Sequence, residues 1–501
     1  MRTGRQYIEA LDDGRDVRVD GERVQNVATH PAFAGIVASV AGIYDHANTA
    51  GSRMLDPETG RHLIYSIPRT TAESDARRAA LEEWSELANG FIGRGPDHVA
   101  GLLAGFVSNA ALFDEPADPV TGAPGAQRSR TVLDYYEYAA SRGLWITNSI
   151  VPPQSNPADP TSTARQLEVV GETAEGVIVS GAQMLASGGA VADEIFVTCV
   201  RPLREGEEDR ALSFIIPVNA PGLRMISRRP YAQSGSVFDY PLSTRFDESD
   251  SMVTFDDVLV PWDRLFILRD RAKLQQQFFA TAAHQLGNIQ SVIRLAAKLR
   301  FIAGLAARVA SANGRENDLA VKHMVTDVSL IATTVESFVE SAYSRASVDE
   351  FGVVRPDGQF LYAALGMQTE LYPNAVRILA ELCGGGVIQL PASEADLADP
   401  EERASMALLM GSELVTLDER VKLFKLVWDV VGSEYAGRHV QYERFYSGAQ
   451  HVVKGYAHRN YPFARADRLV DEFLSGYDRG SMTGAAAAGT AGPTETEPVD
   501  A

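Results

Sequence analysis

Apolar residues recur at intervals of 3, 4, 3, 4 and 3 along Leu414, Leu417, Val421, Phe424, Trp428 and Val431. The same 3, 4, 3 spacing joins Val292, Leu295, Leu299 and Ile302. At about 3.6 residues per turn, such spacing lays an apolar stripe along one side of a helix. Two long helices marked this way must bury their stripes, so residues 271–476 are expected to form a helical bundle. A bundle inside one subunit satisfies the seams; packing between subunits would use the same stripes.

Ahead of the bundle the period changes. Between about 151 and 270, Leu212, Phe214, Ile216 and Val218 alternate with Ser213, Ile215 and Pro217, the pattern of a strand with one favoured face. Val177–Val179, Ile195–Val200 and Met252–Phe255 are further β-rich runs between turn signals, and Pro152-Pro153 and Asn156-Pro157 mark the entry to this zone. Residues 1–150 read as mostly helical, with a first helix ending near Gly14 and another starting near Ala32, after His30-Pro31. Between them Asp16 to Val24 reads as a hairpin, in which Asp20-Gly21 supplies the positive φ angles of a tight turn. Asp114 to Gln127, holding Pro116, Pro119, Gly122, Pro124 and Gly125, reads as an exposed loop. The Ala-, Gly-, Thr- and Pro-rich sequence that ends the chain, residues 477–501, is expected to be disordered. The expectation is an α+β chain with zones at 1–150, 151–270 and 271–476.

Bulk properties exclude several function classes. With 501 residues, 45% of them hydrophobic, the chain can bury a large core in more than one domain. A net charge of −20 argues against nucleic acid as a partner. No apolar run reaches the ~18 residues of a membrane span. The N-terminus turns polar too soon for a secretory signal. Cys199 and Cys383 suit a reducing cytoplasm, read as buried and inert, and are too few for an ordinary iron–sulfur cluster. His451 and His458 have the wrong spacing to share a metal on one helix face, so no metal site is expected. Gly384-Gly385-Gly386 follows an apparent helix rather than a strand and is not a dinucleotide fingerprint.

Two stretches speak more specifically. One reads Trp84-Ser-Glu-Leu-Ala-Asn-Gly-Phe-Ile-Gly-Arg-Gly-Pro-Asp-His98. The other reads Trp428-Asp-Val-Val-Gly-Ser-Glu-Tyr-Ala-Gly-Arg-His439, then Tyr442-Glu-Arg-Phe-Tyr-Ser-Gly-Ala-Gln450. Together they resemble the oxygenase components of two-component, reduced-flavin monooxygenases typified by 4-hydroxyphenylacetate 3-monooxygenase, over about residues 4–475. The resemblance implies an acyl-CoA dehydrogenase-like fold: an N-terminal helical domain, a middle β-barrel domain and a C-terminal helical bundle. It also implies reduced FAD, by family habit rather than FMN, delivered by a separate NAD(P)H-flavin reductase, with O2 as co-substrate and a homotetrameric assembly.

Reduced flavin and O2 demand a cavity kept dry, a hydroxyl or amide near flavin N5, and a group that orients the substrate. By resemblance, Ser187, closing Ser180-Gly-Ala-Gln-Met-Leu-Ala-Ser187, approaches N5; without the resemblance it reads as a turn serine before Gly188-Gly189. Gly143-Leu-Trp-Ile-Thr-Asn-Ser-Ile-Val-Pro-Pro153 is similar to the segment lining the isoalloxazine ring. That similarity puts Asn148, Ser149 and Ile150 at the ring and Gln154 and Ser155 near the ribityl or phosphate part, although the family often carries Asp-Arg where Ser155-Asn156 stand. Tyr446, Ser447, Gly448 and Ala449 match a flavin-contacting loop, where Gly448 would let backbone amides approach the cofactor. Arg438 and His439 suit buttressing that loop as well as touching the cofactor.

At the substrate the pattern departs. The phenol hydroxylases hold phenol with an Arg, a Tyr four residues on, and a His at the start of the ring-lining segment. Here Arg94 is kept, but His98 and Asn148 stand at the other two positions. Asn can donate and accept hydrogen bonds but cannot act as a base, whereas His98, at an ordinary pKa near 6.5, could transfer protons. Without the resemblance His98 reads as a surface or capping residue at a helix start. The combination points to a neutral N-heteroaromatic, pyridine-like ring rather than a simple phenol. A phenol, chlorophenol or nitrophenol hydroxylase of the same family is the nearer alternative. An acyl-CoA dehydrogenase- or dehydratase-like flavoenzyme is the alternative from another class, and a flavin-free scaffold is the third.

Overall fold

The computed structural model describes residues 1–117, 121–122, 124–154 and 165–479. Ser155 and the end of the expected disordered tail, from 480 onward, lie outside the described residues. The chain divides into a large compact unit, Met1–Ala457, and a second unit from His458.

The first stretch carries α1 (Gly4–Ala10), α2 (Ala34–Ala47), α3 (Thr71–Leu87), α4 (Pro96–Ser108) and α5 (Arg128–Arg142). The hairpin predicted near its start is present, with Asp20 at φ 54° and Gly21 at φ 83°. In chain order the strands of the two main sheets are β1 (Asp16–Val19), β2 (Glu22–Arg23), β3 (Ile146–Ser149), β4 (Glu168–Glu172), β5 (Gly176–Ser187), β6 (Glu194–Thr198), β7 (Leu212–Pro217), β8 (Leu223–Ser227), β9 (Asp250–Pro261) and β10 (Leu265–Leu268). They form a six-stranded sheet, β2-β1-β8-β9-β5-β4, and a four-stranded sheet, β10-β7-β6-β3. β1 runs parallel to β8 and β3 parallel to β6, so the first stretch lends strands to both sheets. β7 departs from the expected half-exposed strand. Leu212 to Ile216 are all buried, so both faces of β7 are covered by packed layers, while β6 and β10 pair with its two edges.

Helices α6 (Ser243–Phe246) and α7 (Arg271–Gln276) lead to the bundle of α8 (Ala283–Ala312), α9 (Leu319–Ser344), α10 (Gly358–Cys383), α11 (Glu394–Ala398), α12 (Pro400–Met410), α13 (Leu417–Val431), α14 (Glu434–Phe445) and α15 (Gln450–Asn460). In α8 the seam Val292, Leu295, Leu299 and Ile302 is buried. Each such side chain contributes about 1.5–3 kcal/mol of transfer free energy. In α13, Leu417, Val421 and Phe424 are buried and Trp428 and Val431 pack partly against the core. Leu414 is a correction: it precedes the helix and is 61% exposed. In the second unit, α16 (Phe463–Leu474) exposes Leu469, Val470, Phe473 and Leu474.

One packing feature positions the site. α4 begins with Pro96 at a position where its fixed φ is pre-set and its missing N–H costs nothing, and Asp97 lies in that first turn. Its Gly101 and Gly105 lie directly against α8. A Cβ on Gly101 would fall 2.4 Å from the Leu286 carbonyl oxygen, and one on Gly105 would fall 2.1 Å from the Ala283 nitrogen. Small residues thus bring the two helices close enough for backbone to meet side chain.

Candidate active site

The His98 Nδ1 meets the Gly287 carbonyl of α8 at 2.8 Å. A carbonyl only accepts, so Nδ1 carries the hydrogen and Nε2 presents a lone pair. Burial, and then the charge of Arg94, push the His98 pKa down to about 3. The ordinary imidazole pKa expected from sequence is thus lost on folding, and His98 stands as a neutral hydrogen-bond acceptor. Next to it Asp97 is buried and pushed up to about 6 by desolvation, partly opposed by Gln290. Gln290 Nε2 donates to Asp97 Oδ2 at 2.8 Å, and the Tyr446 hydroxyl donates to Gln290 Oε1 at 2.7 Å. Neither Asp97 nor Gln290 was singled out by sequence.

Arg94 joins the two motifs that lie far apart in sequence. Its guanidinium donates to the Tyr446 carbonyl at 2.5 Å and stands 4.1 Å from the centre of the Tyr446 ring. Arg294 approaches the same ring at 4.7 Å. The backbone N–H of Arg94 donates to Glu248 Oε1 at 2.7 Å, and Arg438 donates to Glu248 Oε2 at 3.2 Å.

Arg438 also grips Asp250, through Nη2 at 2.7 Å and Nε at 3.1 Å, and Arg228 Nε reaches the same carboxylate at 3.0 Å. Ser187 ends β5 directly opposite Asp250 on β9 and donates its hydroxyl to Asp250 Oδ1 at 2.6 Å. Thr147, one residue before Asn148, donates to the Ser187 carbonyl at 2.6 Å. Arg94, Ser187, the Asn148 strand and the Tyr446 loop are therefore linked by one hydrogen-bonded network. Arg438 serves it as a buttress. His439 lies behind, its Nδ1 3.1 Å from Lys298 Nζ.

Among the sequence-predicted cofactor residues, Asn148 and Ser149 are buried on β3 and Ile150 is half-buried. Ser447 and Ala449 are half-buried, and Gly448 has φ 107°, a conformation that favours glycine. Gln154 is exposed and is not joined to the network among the described residues. The hydroxyls of Ser149, Ser447 and Tyr442 are buried with no hydrogen-bond partner among the described residues. Buried polar groups are nearly always partnered, so unpaired hydroxyls on two segments expected to line a flavin fit a site completed by a polar ligand. The residues present thus fit FAD.

Residues 3–267 match the sequence profile of the 4-hydroxyphenylacetate 3-hydroxylase N-terminal region, and residues 274–475 match that of its C-terminal region. The 4-hydroxyphenylacetate 3-monooxygenase oxygenase component of Geobacillus sp. (strain PA-9) is 32% identical, over 95% of this chain and 97% of that protein. The 4-nitrophenol 2-monooxygenase oxygenase component of Rhodococcus sp is also 32% identical, over 90% of this chain and 87% of its own. A crystal structure of the oxygenase component of 4-hydroxyphenylacetate 3-monooxygenase with FAD and 4-hydroxyphenylacetate superposes with a TM-score of 0.88. It is 30% identical and covers 95% of this chain and 99% of that one. A 4-hydroxybutyryl-CoA dehydratase from N. maritimus, 18% identical over 96% of each chain, shares the fold at a TM-score of 0.84.

Proposed function

The chain belongs to the 4-hydroxyphenylacetate 3-hydroxylase family, with its acyl-CoA dehydrogenase-like fold, and from that premise we propose the reaction and substrate class that follow. It is an oxygenase that uses reduced FAD and O2 to oxygenate an aromatic ring, and the ring it takes is N-heteroaromatic, pyridine-like. The curated relatives are oxygenase components, which implies a separate NAD(P)H-flavin reductase as the second protein.

When bound, reduced FAD supplies the electrons that activate O2. The chain's own residues bind, orient and exclude water. Asn148, Ser149 and Ile150 would line the isoalloxazine ring, Ser187 would meet N5, and Tyr446 to Ala449, with Gln154 and Ser155, would hold the remainder. FAD is favoured over FMN because the family structure contains FAD. Arg94, His98 and Asn148 would hold the substrate. The observation that carries the substrate class is the pairing of Asn148, whose amide can donate to a ring nitrogen, with His98, a buried neutral acceptor whose Nε2 has no partner among the described residues and suits the N–H of a pyridone-type tautomer or an O–H. Asn148 can complement it by donating its amide to a ring nitrogen or oxygen, which a histidine base would not do as a neutral acceptor. A phenol or nitrophenol is the second reading, favoured by the Rhodococcus relative, since Nε2 can also accept a phenolic O–H.

A dehydrogenase needs a carboxylate base. Glu248 and Asp250 are instead committed to arginines, Asp250 lies well below the usual carboxylate range because Arg438 and Arg228 overcome the effect of its burial, and Asp97 is held by Gln290 and the His98 backbone N–H. A cytoplasmic setting is proposed from the two buried free thiols, Cys199 and Cys383. A homotetramer is proposed as the expectation of the family, the seams being largely buried within the chain and the exposed Leu469, Val470, Phe473 and Leu474 offering apolar surface for a second copy, and light scattering would read it directly.

The deciding experiment supplies the protein with chemically reduced FAD, isotope-labelled O2 and a panel of pyridines, pyridones and phenols. Labelled oxygen in a heteroaromatic product supports the reading. Oxygenation confined to phenols transfers the assignment to the second reading, and hydrogen peroxide alone from every compound removes both.

A further inference from the structure

Ser187 and Asp250 face each other across the paired ends of β5 and β9, and the serine hydroxyl donates to the carboxylate at 2.6 Å. A carboxylate has no hydrogen to give, so the single hydroxyl hydrogen of Ser187 is committed to Asp250. Burial would push the Asp250 carboxyl up, but Arg438 and Arg228 outweigh it and hold the group ionised. Ser187 is buried as well, with 3% of its surface exposed, so water does not offer its oxygen an alternative donor. What remains on Ser187 Oγ is a pair of acceptor sites.

This step rests on the proposed reading that Ser187 meets flavin N5. We infer that Asp250 is a positioning residue that fixes Ser187 as a hydrogen-bond acceptor, so that the site discriminates between the oxidation states of FAD. Oxidised isoalloxazine has a lone pair at N5 and no hydrogen there. Two-electron reduction places a hydrogen on N5. The reduced cofactor therefore offers Ser187 a donor, whereas the oxidised cofactor sets lone pair against lone pair. To accommodate oxidised FAD, Ser187 must withdraw its hydrogen from Asp250 and leave a buried carboxylate oxygen short of one donor. The general cost of such an unmet bond corresponds to a preference of about tenfold to a hundredfold for reduced FAD. The spent cofactor is accordingly the weaker ligand and leaves for re-reduction elsewhere.

The test is a pair of binding titrations on the full chain, with oxidised FAD in air and with dithionite-reduced FAD under anaerobic conditions. The wild type should bind reduced FAD at least about tenfold more tightly. Asp250→Asn offers Ser187 a donor amide, frees the serine hydrogen and should bring the ratio of the two dissociation constants towards one, by gaining affinity for oxidised FAD. Because Asp250 also holds two arginines, Ser187→Ala is the companion variant. It leaves the ion pairs intact and should collapse the same ratio, by losing affinity for reduced FAD. A purely structural role for Asp250 would weaken both redox states alike and leave the ratio unchanged, which overturns the inference. Equal binding of the two states by the wild type also overturns it while sparing the proposed function. Failure of the wild type to bind FAD in either state removes both.

Discussion

Arg294 clasps Glu443 through two parallel hydrogen bonds of 2.7 and 2.8 Å, at a depth where neither side chain has more than 1% of its surface exposed. Lys298 Nζ adds a third contact to Glu443 at 2.6 Å, and Gln368 a fourth at 2.6 Å. Two buried cations thus depend on one carboxylate, just behind the Tyr446 ring. Removing it as Glu443→Ala should destabilise the fold by about 3–5 kcal/mol, because the cations lose their counter-charge in a medium that cannot solvate them. Urea unfolding of the variant beside the wild type measures this. A loss below ~1 kcal/mol would mean that water enters the cluster.

Asp97 and His98 titrate with opposite signs over one range of pH. The folded-state pKa of Asp97 is raised from 3.8 to about 6, so its contribution to stability is present at low pH and is lost as pH rises between those values. The His98 pKa is lowered from 6.5 to about 3, so the native state resists the proton that the unfolded chain accepts, and stability falls as pH drops through that window. The two effects offset each other between pH 3.8 and about 6. Asp97→Asn should unmask the histidine and make the variant lose stability relative to wild type by about 1.4 kcal/mol per pH unit of acidification. Unfolding at several pH values across that window checks the slope.

Gly105→Ala should cost about 1–3 kcal/mol by overpacking the contact between α4 and α8. Because His98 sits on the same helix and bonds to Gly287 across that contact, substrate KM should rise along with the loss of stability. Thermal melts and steady-state kinetics on one preparation separate this from simple unfolding. A variant with wild-type melting and wild-type KM would show that the helices can part freely.

Exchanging the proposed substrate pair, Asn148 and His98, reads the specificity. Asn148→His should lower kcat/KM for the proposed heteroaromatic substrate by about tenfold or more, the worth of one well-placed hydrogen bond in a buried site. Combining it with His98→Tyr should shift preference towards simple phenols. Unchanged turnover of the true substrate by Asn148→His would remove that residue from the substrate site.

Ser447→Ala removes a buried hydroxyl that has no hydrogen-bond partner among the described residues. The protein without flavin should be as stable as wild type or slightly more so, while affinity for FAD should fall severalfold, by about 0.5–1.5 kcal/mol. Equal FAD affinity in calorimetry would place the cofactor away from that loop.

Much of this architecture is readable along the chain wherever the deciding interaction is local or periodic. The stripe from Val292 to Ile302 and the turn at Asp20-Gly21 are of that kind, since helix period and positive φ act over a few residues. What the sequence conceals is pairing at a distance. Arg294 and Glu443 are 149 residues apart, and each alone reads as a solvated charge on an amphipathic helix. Asp250 belongs to the acidic run Asp247-Glu-Ser-Asp250, which looks like surface until the register of β9 against β5 sets it opposite Ser187. The His98 pKa depends on burial created by Gly101 and Gly105, whose meaning appears only when α8 is laid against them. Leu414 misled because its spacing continued a helix that the chain had not yet begun.

The parallel pairing of β1 with β8 has a consequence for the nascent protein. Arg224, which bonds to Asp16 along that edge, is translated 208 residues later, on the order of 10–40 seconds at ordinary rates of elongation. Arg438 follows Asp250 by a further 188 residues. While the ribosome is still working, Asp247 and Asp250 therefore have Arg228 as a counter-charge on the finished part of the chain, whereas Glu248 still awaits Arg438. The network around Ser187 is thus the last region to be completed, and a product truncated before Arg438 would lack the residue that ties Glu248 to Asp250.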